Sequence, residues 1–390
     1  MMFYVPHTKF DPNAEPPTSD LSIHDSAANC ALLTDAHGSE ISLTLRPVAG
    51  EGIVELFTRL ADSLLELEAA IVQLTVFGSV SAHPAVNEAL RRIFGRVDWP
   101  ITWVEGAACD AHPIAGVQAH GFTGGTVQRI RIGERVVGSV FQNGAARHCV
   151  LGGLGPVSNA RPRADQTRET LDNLAEALAQ GGFSLTDLVR TWFFLEDILS
   201  WYDEFNRTRT KIYSAVKFHT GSLPASTGVG AKNPAGAALT VGAWAMQPED
   251  GPARAEEIAS PLQCPAPAYG SSFSRAMEFS SESGRRLLIS GTASIAPGGA
   301  TMWLGDPRRQ VAQSMQVVEA ILHSRGFGFS DLTRATAYFR RTAYARAFTE
   351  WCEARGLRSL PVVLAQCDVC RDDLLFELEA DAWTANSPPP

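Results

Sequence analysis

Two glutamates near the end of the sequence have a spacing that could place two carboxyl groups side by side. The segment Phe376-Glu377-Leu378-Glu379-Ala380 alternates apolar and acidic residues. In a strand, this period of two puts Glu377 and Glu379 on one face and the apolar residues on the other. That face is either solvated or packed against another part of the chain. Burial would raise the pKa of a carboxyl group and leave it protonated, as a general acid requires.

Three arginines could hold an anionic substrate, because a guanidinium group binds a carboxylate through paired hydrogen bonds. Arg190 lies among bulky strand residues, where it is either a buried ligand-binding group or a strand-end charge. Arg209 lies on an amphipathic helix and is either a ligand-binding group or a surface charge. Arg275 precedes a strand and follows Tyr269 closely.

The cysteines and histidines give little indication of a metal site. Cys367 and Cys370 form a single Cys-x-x-Cys pair, with no second pair and no histidines at ligand spacing. On one strand, a separation of three residues would put these two thiols on opposite faces. A buried apolar cysteine is the alternative at Cys370. We predict no metal.

The composition excludes several classes of protein. The 390 residues carry a net charge of −9, which disfavours a general nucleic-acid binder but permits a small anionic substrate. No run of about 18 apolar residues could span a membrane, and no secretory signal is recognised at the N-terminus. The seven cysteines do not resemble a disulfide framework, so we expect reduced thiols in the cytoplasm.

Short repeats divide the chain into three units. The segment 182–190 is similar in sequence to 326–334, and Leu223-Pro224 is similar to Leu360-Pro361. Trp99-Pro100 is a third, weaker match to these Leu-Pro pairs. The predicted domains are 1–124, 125–258 and 259–386, with the Pro-rich segment 261–269 marking the last boundary.

The periodicity within the second and third units predicts two amphipathic helices each. These helices cover 166–179 and 201–213 in the second unit, and 310–322 and 344–355 in the third. Strands of β-branched and aromatic residues separate them, which gives the order β-β-α-β-α-β-β. We therefore predict an α+β fold in which two helices cover one face of a mixed sheet.

Several segments in the last two units resemble the YjgF/RidA family, and more closely the chorismatases, which look like three fused RidA-like units in a pseudo-threefold arrangement. The matching segments run in order from about residue 125 to 385. They are Arg190-Thr191-Trp192-Phe193-Phe194, Trp201-Tyr202, 205–209, Leu223-Pro224-Ala225-Ser226-Thr227-Gly228, 269–276, 290–295 and 370–377.

The resemblance implies an enzyme that acts on chorismate without a metal or other cofactor. Glu377 would protonate the methylene carbon of the enol ether, after which pyruvate leaves. Cys370 would determine the product, since a cysteine there resembles the enzymes that make 3-hydroxybenzoate, with 4-hydroxybenzoate as a further product. The resemblance and the arginine pattern together give the substrate-binding residues, which lie between the central and C-terminal units: Arg190, Arg209, Ser226, Thr227, Gly228, Tyr269 and Arg275. Three fused units would make a monomer sufficient.

Three alternatives remain at this stage. The first is a chorismate hydrolase that gives a dihydroxycyclohexadiene carboxylate. The second is a RidA-like imine deaminase, but the arginine that such enzymes carry after Leu-Pro or Tyr-Pro is replaced here by Ser226 and, near the later repeat, Val362. The third is a protein that binds a small acid without converting it.

Overall fold

The computed structural model describes residues 28–35, 38–108, 112–144, 146–249 and 253–386, and their strands form three mixed sheets. Within these ranges, no helix is long and apolar enough to cross a membrane.

The first sheet has the strand order β1-β2-β6-β3-β4 and is accompanied by two helices. Its elements are β1 (Ala28–Asp35), β2 (Gly38–Leu45), α1 (Ile53–Glu66), β3 (Ala70–Gly78), α2 (His83–Phe94), β4 (Ile101–Glu105) and β6 (Ile114–Thr123). The short strand β5 (Ala107–Ala108) leaves this sheet and pairs with a strand of the third one. This first unit therefore has the element order predicted for the other two.

The second sheet has the order β11-β10-β12-β9-β8-β7. Its elements are β7 (Gln128–Ile132), β8 (Arg135–Gln142), β9 (Ala146–Leu154), α3 (Arg163–Gln180), β10 (Leu188–Leu195), α4 (Ile198–Tyr213), β11 (Ala225–Gly230) and β12 (Leu239–Pro248). Both predicted helices are present and begin about one turn earlier than the periodicity indicated.

The third sheet has the order β13-β14-β15-β18-β16-β17-β5. Its elements are β13 (Arg254–Ile258), β14 (Ala276–Ser280), β15 (Gly284–Ala293), α5 (Pro307–Ser324), β16 (Leu332–Phe339), α6 (Ala345–Glu353), β17 (Val362–Gln366) and β18 (Phe376–Ala385).

The start of the third sheet differs from the predicted domain boundary at residue 259. Strand β13 lies before that boundary, yet it pairs antiparallel with β14 along its whole length. The Pro-rich segment 261–269 is therefore a connection within the third unit. Its Gln263 amide donates to the carbonyl oxygens of Ala293 and Ile295, at 2.9 and 3.0 Å, which ties the connection to that unit.

The three X-Pro pairs mark equivalent places in the three sheets, which confirms the repeat. Strands β4, β11 and β17 begin at or directly after the proline, and each pairs parallel with the strand that follows the first helix of its unit. The residue before a proline favours extended backbone, which suits the start of a strand.

Four main hydrophobic clusters stabilise the fold. Three lie between a sheet and its two helices, for example where Leu171, Leu174 and Leu178 of α3 pack on the second sheet. Burying each such side chain contributes about 1.5–3 kcal/mol. The fourth cluster joins the opposite faces of all three sheets and includes Phe77 and Trp244. The helix-free faces therefore pack on one another, and polar side chains on those faces become buried.

Gly116 on β6 lies close to β17 of the third sheet. A Cβ atom at Gly116 would lie 2.7 Å from Val363 Cγ2 and 3.1 Å from the Leu45 carbonyl oxygen. We expect Gly116→Ala to lower the free energy of unfolding by about 1–3 kcal/mol, because a packed interior does not accommodate an added methyl group.

Urea denaturation measures this change. The control is Gly298→Ala, because Gly298 is exposed and an added Cβ atom meets nothing within 4 Å. Equal stability of the two variants would contradict close packing at Gly116.

Candidate active site

A cavity of about 490 Å³ lies between the second and third sheets. The two sheets are joined beside it, because the Ser226 amide donates to Ser290 Oγ at 2.8 Å and the Ser274 amide donates to the Pro224 carbonyl oxygen at 3.0 Å. The cavity is lined by Tyr202, Arg209, Ser226, Gly228, Tyr269, Ser271, Phe273, Arg275, Gly291, Ala293, Ile295, Cys370, Arg371 and Glu377.

Glu377 is the acidic residue of this cavity. Strand β18 places it between Ala293 of β15 and Tyr338 of β16, and only 5% of the residue is exposed. Burial, followed by the neighbouring negative charge of Glu379, raises the pKa of the Glu377 carboxyl to about 8. The positive charges of Arg190 and Arg275 oppose this rise. Glu377 is therefore a carboxyl group that stays protonated at neutral pH.

The glycine at position 291 makes room for the Glu377 carboxyl group. A Cβ atom at Gly291 would lie 1.9 Å from Glu377 Oε1. Only a residue without a side chain allows the carboxyl group to rest against the backbone of β15 at this point. The Gly291 amide donates to Thr227 Oγ1 at 3.1 Å, which also fixes this backbone to β11.

Glu379 is held by four hydrogen-bond donors. Arg190 Nη2 and Trp192 Nε1 donate to Oε2 at 2.8 and 2.9 Å, while Arg334 Nη1 and the Tyr338 hydroxyl each donate to Oε1 at 3.2 Å. Donors of this kind stabilise the charged form of a carboxyl group. Two glutamates on one strand face thus have different surroundings: Glu379 is ion-paired, and Glu377 faces the cavity.

Three arginines line the cavity, and two of them, Arg209 and Arg275, were predicted from the sequence. Arg209 projects from α4, is 1% exposed, and donates from Nη2 to Asn206 Oδ1 at 2.7 Å. Its Nε has no hydrogen-bond partner among the described residues. Arg275 donates from Nε and Nη2 to the Cys264 carbonyl oxygen at 3.1 and 3.0 Å. The alternative of a surface helix charge at Arg209 is therefore wrong.

Cys370 and two tyrosines complete the wall beside Glu377. Burial, followed by the negative charge of nearby Glu377, raises the pKa of the Cys370 thiol to about 12, so the thiol stays protonated. Burial likewise raises the pKa of Tyr269 to about 12 and that of Tyr202 above its usual range. These three groups offer neutral donors, and Cys367, which contacts the Glu105 carbonyl oxygen, lies away from the cavity.

Seven of the nine predicted site residues line the cavity, and two lie behind its wall. Arg190 is fully buried and donates to Thr227 Oγ1 at 2.9 Å as well as to Glu379. Arg190 and Thr227 therefore connect the cavity wall to the interior and do not line the cavity. The direct substrate contact predicted for them stays a prediction, and in this structure the ion pair with Glu379 directs the Arg190 guanidinium inward.

Sequence reasoning assigned no role to seven other lining residues: Tyr202, Ser271, Phe273, Gly291, Ala293, Ile295 and Arg371. Each stands in or beside a segment that carried the family resemblance, which was the available signal. Arg371 has a further contact, because its guanidinium lies 5.4 Å from the centre of the Tyr269 ring. Within the described ranges, no group of three or more histidine, cysteine or acidic side chains is arranged to hold a metal.

Comparisons with known proteins agree with this geometry. The family model Endoribonuclease L-PSP matches residues 154–245, within the second unit. The chain is 27% identical over 242 residues to a 3-hydroxybenzoate synthase of Streptomyces hygroscopicus, covering 55% of this chain and 68% of that protein. It is 26% identical over 272 residues to a chorismatase of the same organism, covering 63% and 76%.

A solved structure supports the fold over most of the chain. The crystal structure of a chorismatase matches with a TM-score of 0.60 and 20% identity, covering 93% of this chain and all of that one. The predicted α+β fold of RidA-like units is confirmed by this match and by the family model.

The raised pKa of Glu377 predicts a pH-dependent effect of Glu377→Gln on stability. Below pH 4.5 the carboxyl is protonated in both folded and unfolded chains. Between pH 4.5 and about 8 only the unfolded chain ionises, so the wild type loses stability as the pH rises. Glutamine does not ionise, and the variant should gain relative stability across this window, by at most about 1.4 kcal/mol per pH unit.

Thermal unfolding at a series of pH values checks this prediction. The matched control is Glu353→Gln on the exposed end of α6, which should follow the wild type. A Glu377→Gln curve parallel to the wild type would indicate an ordinary carboxyl group at this position.

Proposed function

We propose that the chain is a member of the chorismatase family and that it converts chorismate to 3-hydroxybenzoate and pyruvate in the cavity between the second and third sheets. The observation that carries the proposal is the buried Glu377 carboxyl, which lines the same cavity as Arg209 and Arg275. The relatives named chorismatase and 3-hydroxybenzoate synthase support the substrate and the product.

Glu377 acts as the general acid. Chorismate carries an enol ether whose methylene carbon is its basic site. The proton passes from the Glu377 carboxyl to this carbon, which becomes the methyl group of pyruvate. A carboxyl group with a pKa of about 8 holds its proton at neutral pH and is still acidic enough to donate it.

The remaining bond changes need no further reactant. The bond between the ring carbon and the side-chain oxygen breaks, and its electron pair stays on that oxygen, which becomes the keto oxygen of pyruvate. The ring's own hydroxyl oxygen bonds to the vacated carbon and loses its proton, which returns the acid to its starting state. The oxygen now bridges two ring carbons. Its bond to the carbon that first carried it breaks, the oxygen takes up a proton, and the carbon that keeps the oxygen loses its hydrogen as a proton, so that the ring aromatises. Chorismate thus divides into hydroxybenzoate and pyruvate without net consumption of water.

The arginines hold the two carboxylates of the substrate. Arg209 and Arg275 face the cavity from the second and third units, so each unit contributes at least one cation. Charge-assisted hydrogen bonds of this type bind and orient a dianion. Ser226, Gly228 and Tyr269 complete the binding wall, while Arg190 and Thr227 support it from behind.

Cys370 selects the product in this proposal. Its protonated thiol lines the cavity together with Glu377 and Ile295. We infer that the thiol keeps water from the ring carbon, so that the ring hydroxyl reacts first and 3-hydroxybenzoate forms, with 4-hydroxybenzoate as a minor product. Simple hydrolysis to the dihydroxycyclohexadiene carboxylate is the competing route.

A deaminase function is disfavoured by the residues after the prolines. Ser226 and Val362 stand near the positions where a deaminase needs a carboxylate-binding arginine, and Val362 is buried against the third sheet. We further propose that one chain suffices for activity, because the cavity takes all its walls from two units of the same chain. Light scattering should then give the mass of a single chain.

The first experiment is incubation of the purified protein with chorismate and no added cofactor. Pyruvate release is followed, and the organic acids are separated by chromatography. Pyruvate with 3-hydroxybenzoate supports the whole proposal. Pyruvate with a non-aromatic diol supports the release of pyruvate from chorismate but contradicts 3-hydroxybenzoate as the product. Absence of pyruvate would contradict the proposal.

Glu377→Gln should lower the rate of pyruvate release by about 10²–10⁴-fold, because the amide has no proton to donate. Chorismate should still bind, since Arg209 and Arg275 remain in the cavity. Turnover of the wild type in heavy water should put a single deuterium in the methyl group of pyruvate. Glu353→Gln is the control and should keep its rate; substantial activity of Glu377→Gln would refute the acid assignment.

Cys370→Ala should shift the products from 3-hydroxybenzoate towards the dihydroxycyclohexadiene carboxylate, because a smaller side chain admits water. The matched control is Cys367→Ala, which changes the other cysteine of the pair outside the cavity. Chromatography of the two reaction mixtures gives the ratios. The same ratio in both variants would remove Cys370 from product selection.

A further inference from the structure

A second cavity, of about 790 Å³, lies where the three sheets meet. We call it the central chamber; its walls come from β2, β3 and β6 of the first sheet, β10 and β12 of the second, and β15, β16 and β18 of the third. It shares no lining residue with the catalytic cavity. Ser42, Thr75 and His120 are only half-buried, so the chamber has free space beside them.

The chamber contains charged side chains from two units. Glu40 of the first unit pairs with Arg286 at 2.9 Å and with His120 at 2.9 Å. In the third unit, Arg334 pairs with Asp381 at 2.8 Å. Arg334 also pairs with Glu379, which Arg190 neutralises from behind. The arginines and carboxylates of the chamber therefore balance in formal charge.

Three buried polar atoms of the charged side chains that line the chamber have no hydrogen-bond partner among the described residues. They are Arg286 Nη1, Arg334 Nη2 and Asp381 Oδ1. Arg286 and Asp381 are 9% and 7% exposed, so water outside the protein does not compensate them fully. Leaving a buried donor or acceptor unpaired costs about 1–3 kcal/mol. Two cationic donors and one anionic acceptor in one chamber thus lack a hydrogen-bond partner among the described residues.

The rest of the wall is largely apolar and aromatic. Trp192 and Trp244 both line the chamber, together with Phe77, Phe194 and Ile41. The guanidinium groups of Arg334 and Arg286 lie 5.2 and 4.6 Å from the ring centres of Trp192 and Trp244. A ligand that fits has a small flat apolar body with a polar group at two of its edges.

We propose that the central chamber is a second binding site, specific for a small hydroxylated aromatic monocarboxylate. The carboxylate accepts hydrogen bonds from Arg286 and Arg334, the ring packs among the tryptophans, and the hydroxyl group donates to Asp381. Because the chamber's own charges balance, it favours a singly charged acid over a dianion such as chorismate. The aromatic product proposed above belongs to this class, although the chamber is argued from its own residues.

Calorimetric titration with 3-hydroxybenzoate tests the site. We expect two molecules to bind to each wild-type chain, one in the central chamber and one in the catalytic cavity; the second of these rests on the proposed function. Thr75→Phe fills the chamber without removing a recorded hydrogen bond, and it should abolish one of the two sites while pyruvate release continues. Gly228→Leu fills the catalytic cavity and should abolish the other.

Gly242→Val is a second variant that fills the chamber. It shows whether a loss of binding in Thr75→Phe comes from filling the chamber or from misfolding. An added Cβ at Gly242 lies no closer than 3.4 Å to its nearest neighbour, the Leu151 carbonyl oxygen. It should also lose the chamber site, with a thermal unfolding curve as evidence that the fold persists. If chorismate is never consumed, the proposed function fails, but binding that disappears in Thr75→Phe and Gly242→Val still supports the chamber.

Two related probes test the chemical class. 3-Hydroxybenzyl alcohol lacks the carboxylate, and we expect its affinity for Gly228→Leu to be at least about tenfold weaker than that of 3-hydroxybenzoate. Benzoate lacks the hydroxyl and should bind more weakly as well. A single wild-type site that survives in Thr75→Phe and vanishes in Gly228→Leu would overturn the proposal, as would equal binding of the alcohol and the acid by Gly228→Leu.

Discussion

The carboxylate of Glu379 is the interaction on which the rest of the interior depends. Arg190 and Trp192 reach it from the second sheet, and Arg334 and Tyr338 reach it from the third. An uncompensated charge at this depth would cost several kcal/mol, so the two sheets must keep the register that brings all four donors together. The same carboxylate separates the central chamber from the catalytic cavity and keeps a negative charge close to Glu377.

The three units share one architecture, but only the third unit has a glutamate at the position of Glu377. In each unit the last strand pairs with the strand after the first helix. The position that Glu377 occupies in the third unit is held by Gly116 in the first unit and by Thr240 in the second. Gly116 is covered by Val363, so the first and third sheets close against each other there. One of the three sheet junctions thus has an acidic group at this position, and the others serve packing.

The sequence alone predicted the elements well and the site in part. Helices α3 to α6 and the strands beside them follow from local periodicity, because an amphipathic stripe or an alternation is visible within a few residues. The start of the third sheet at Arg254 was not predictable, because a strand's partner is chosen by packing and not by its own residues. The inward position of Arg190 was missed for the same reason, since its partner Glu379 lies in another unit.

The sequence by itself determined the repeat, the α+β class and the face on which Glu377 and Glu379 stand, because these depend on spacing along the chain. Only the tertiary structure decided what that face meets. Packing of three helix-free sheet faces buried both carboxyl groups, gave one of them four donors and left the other beside a cavity. The different surroundings of two residues of the same type arise from those neighbours, which lie as far as 189 residues away along the chain.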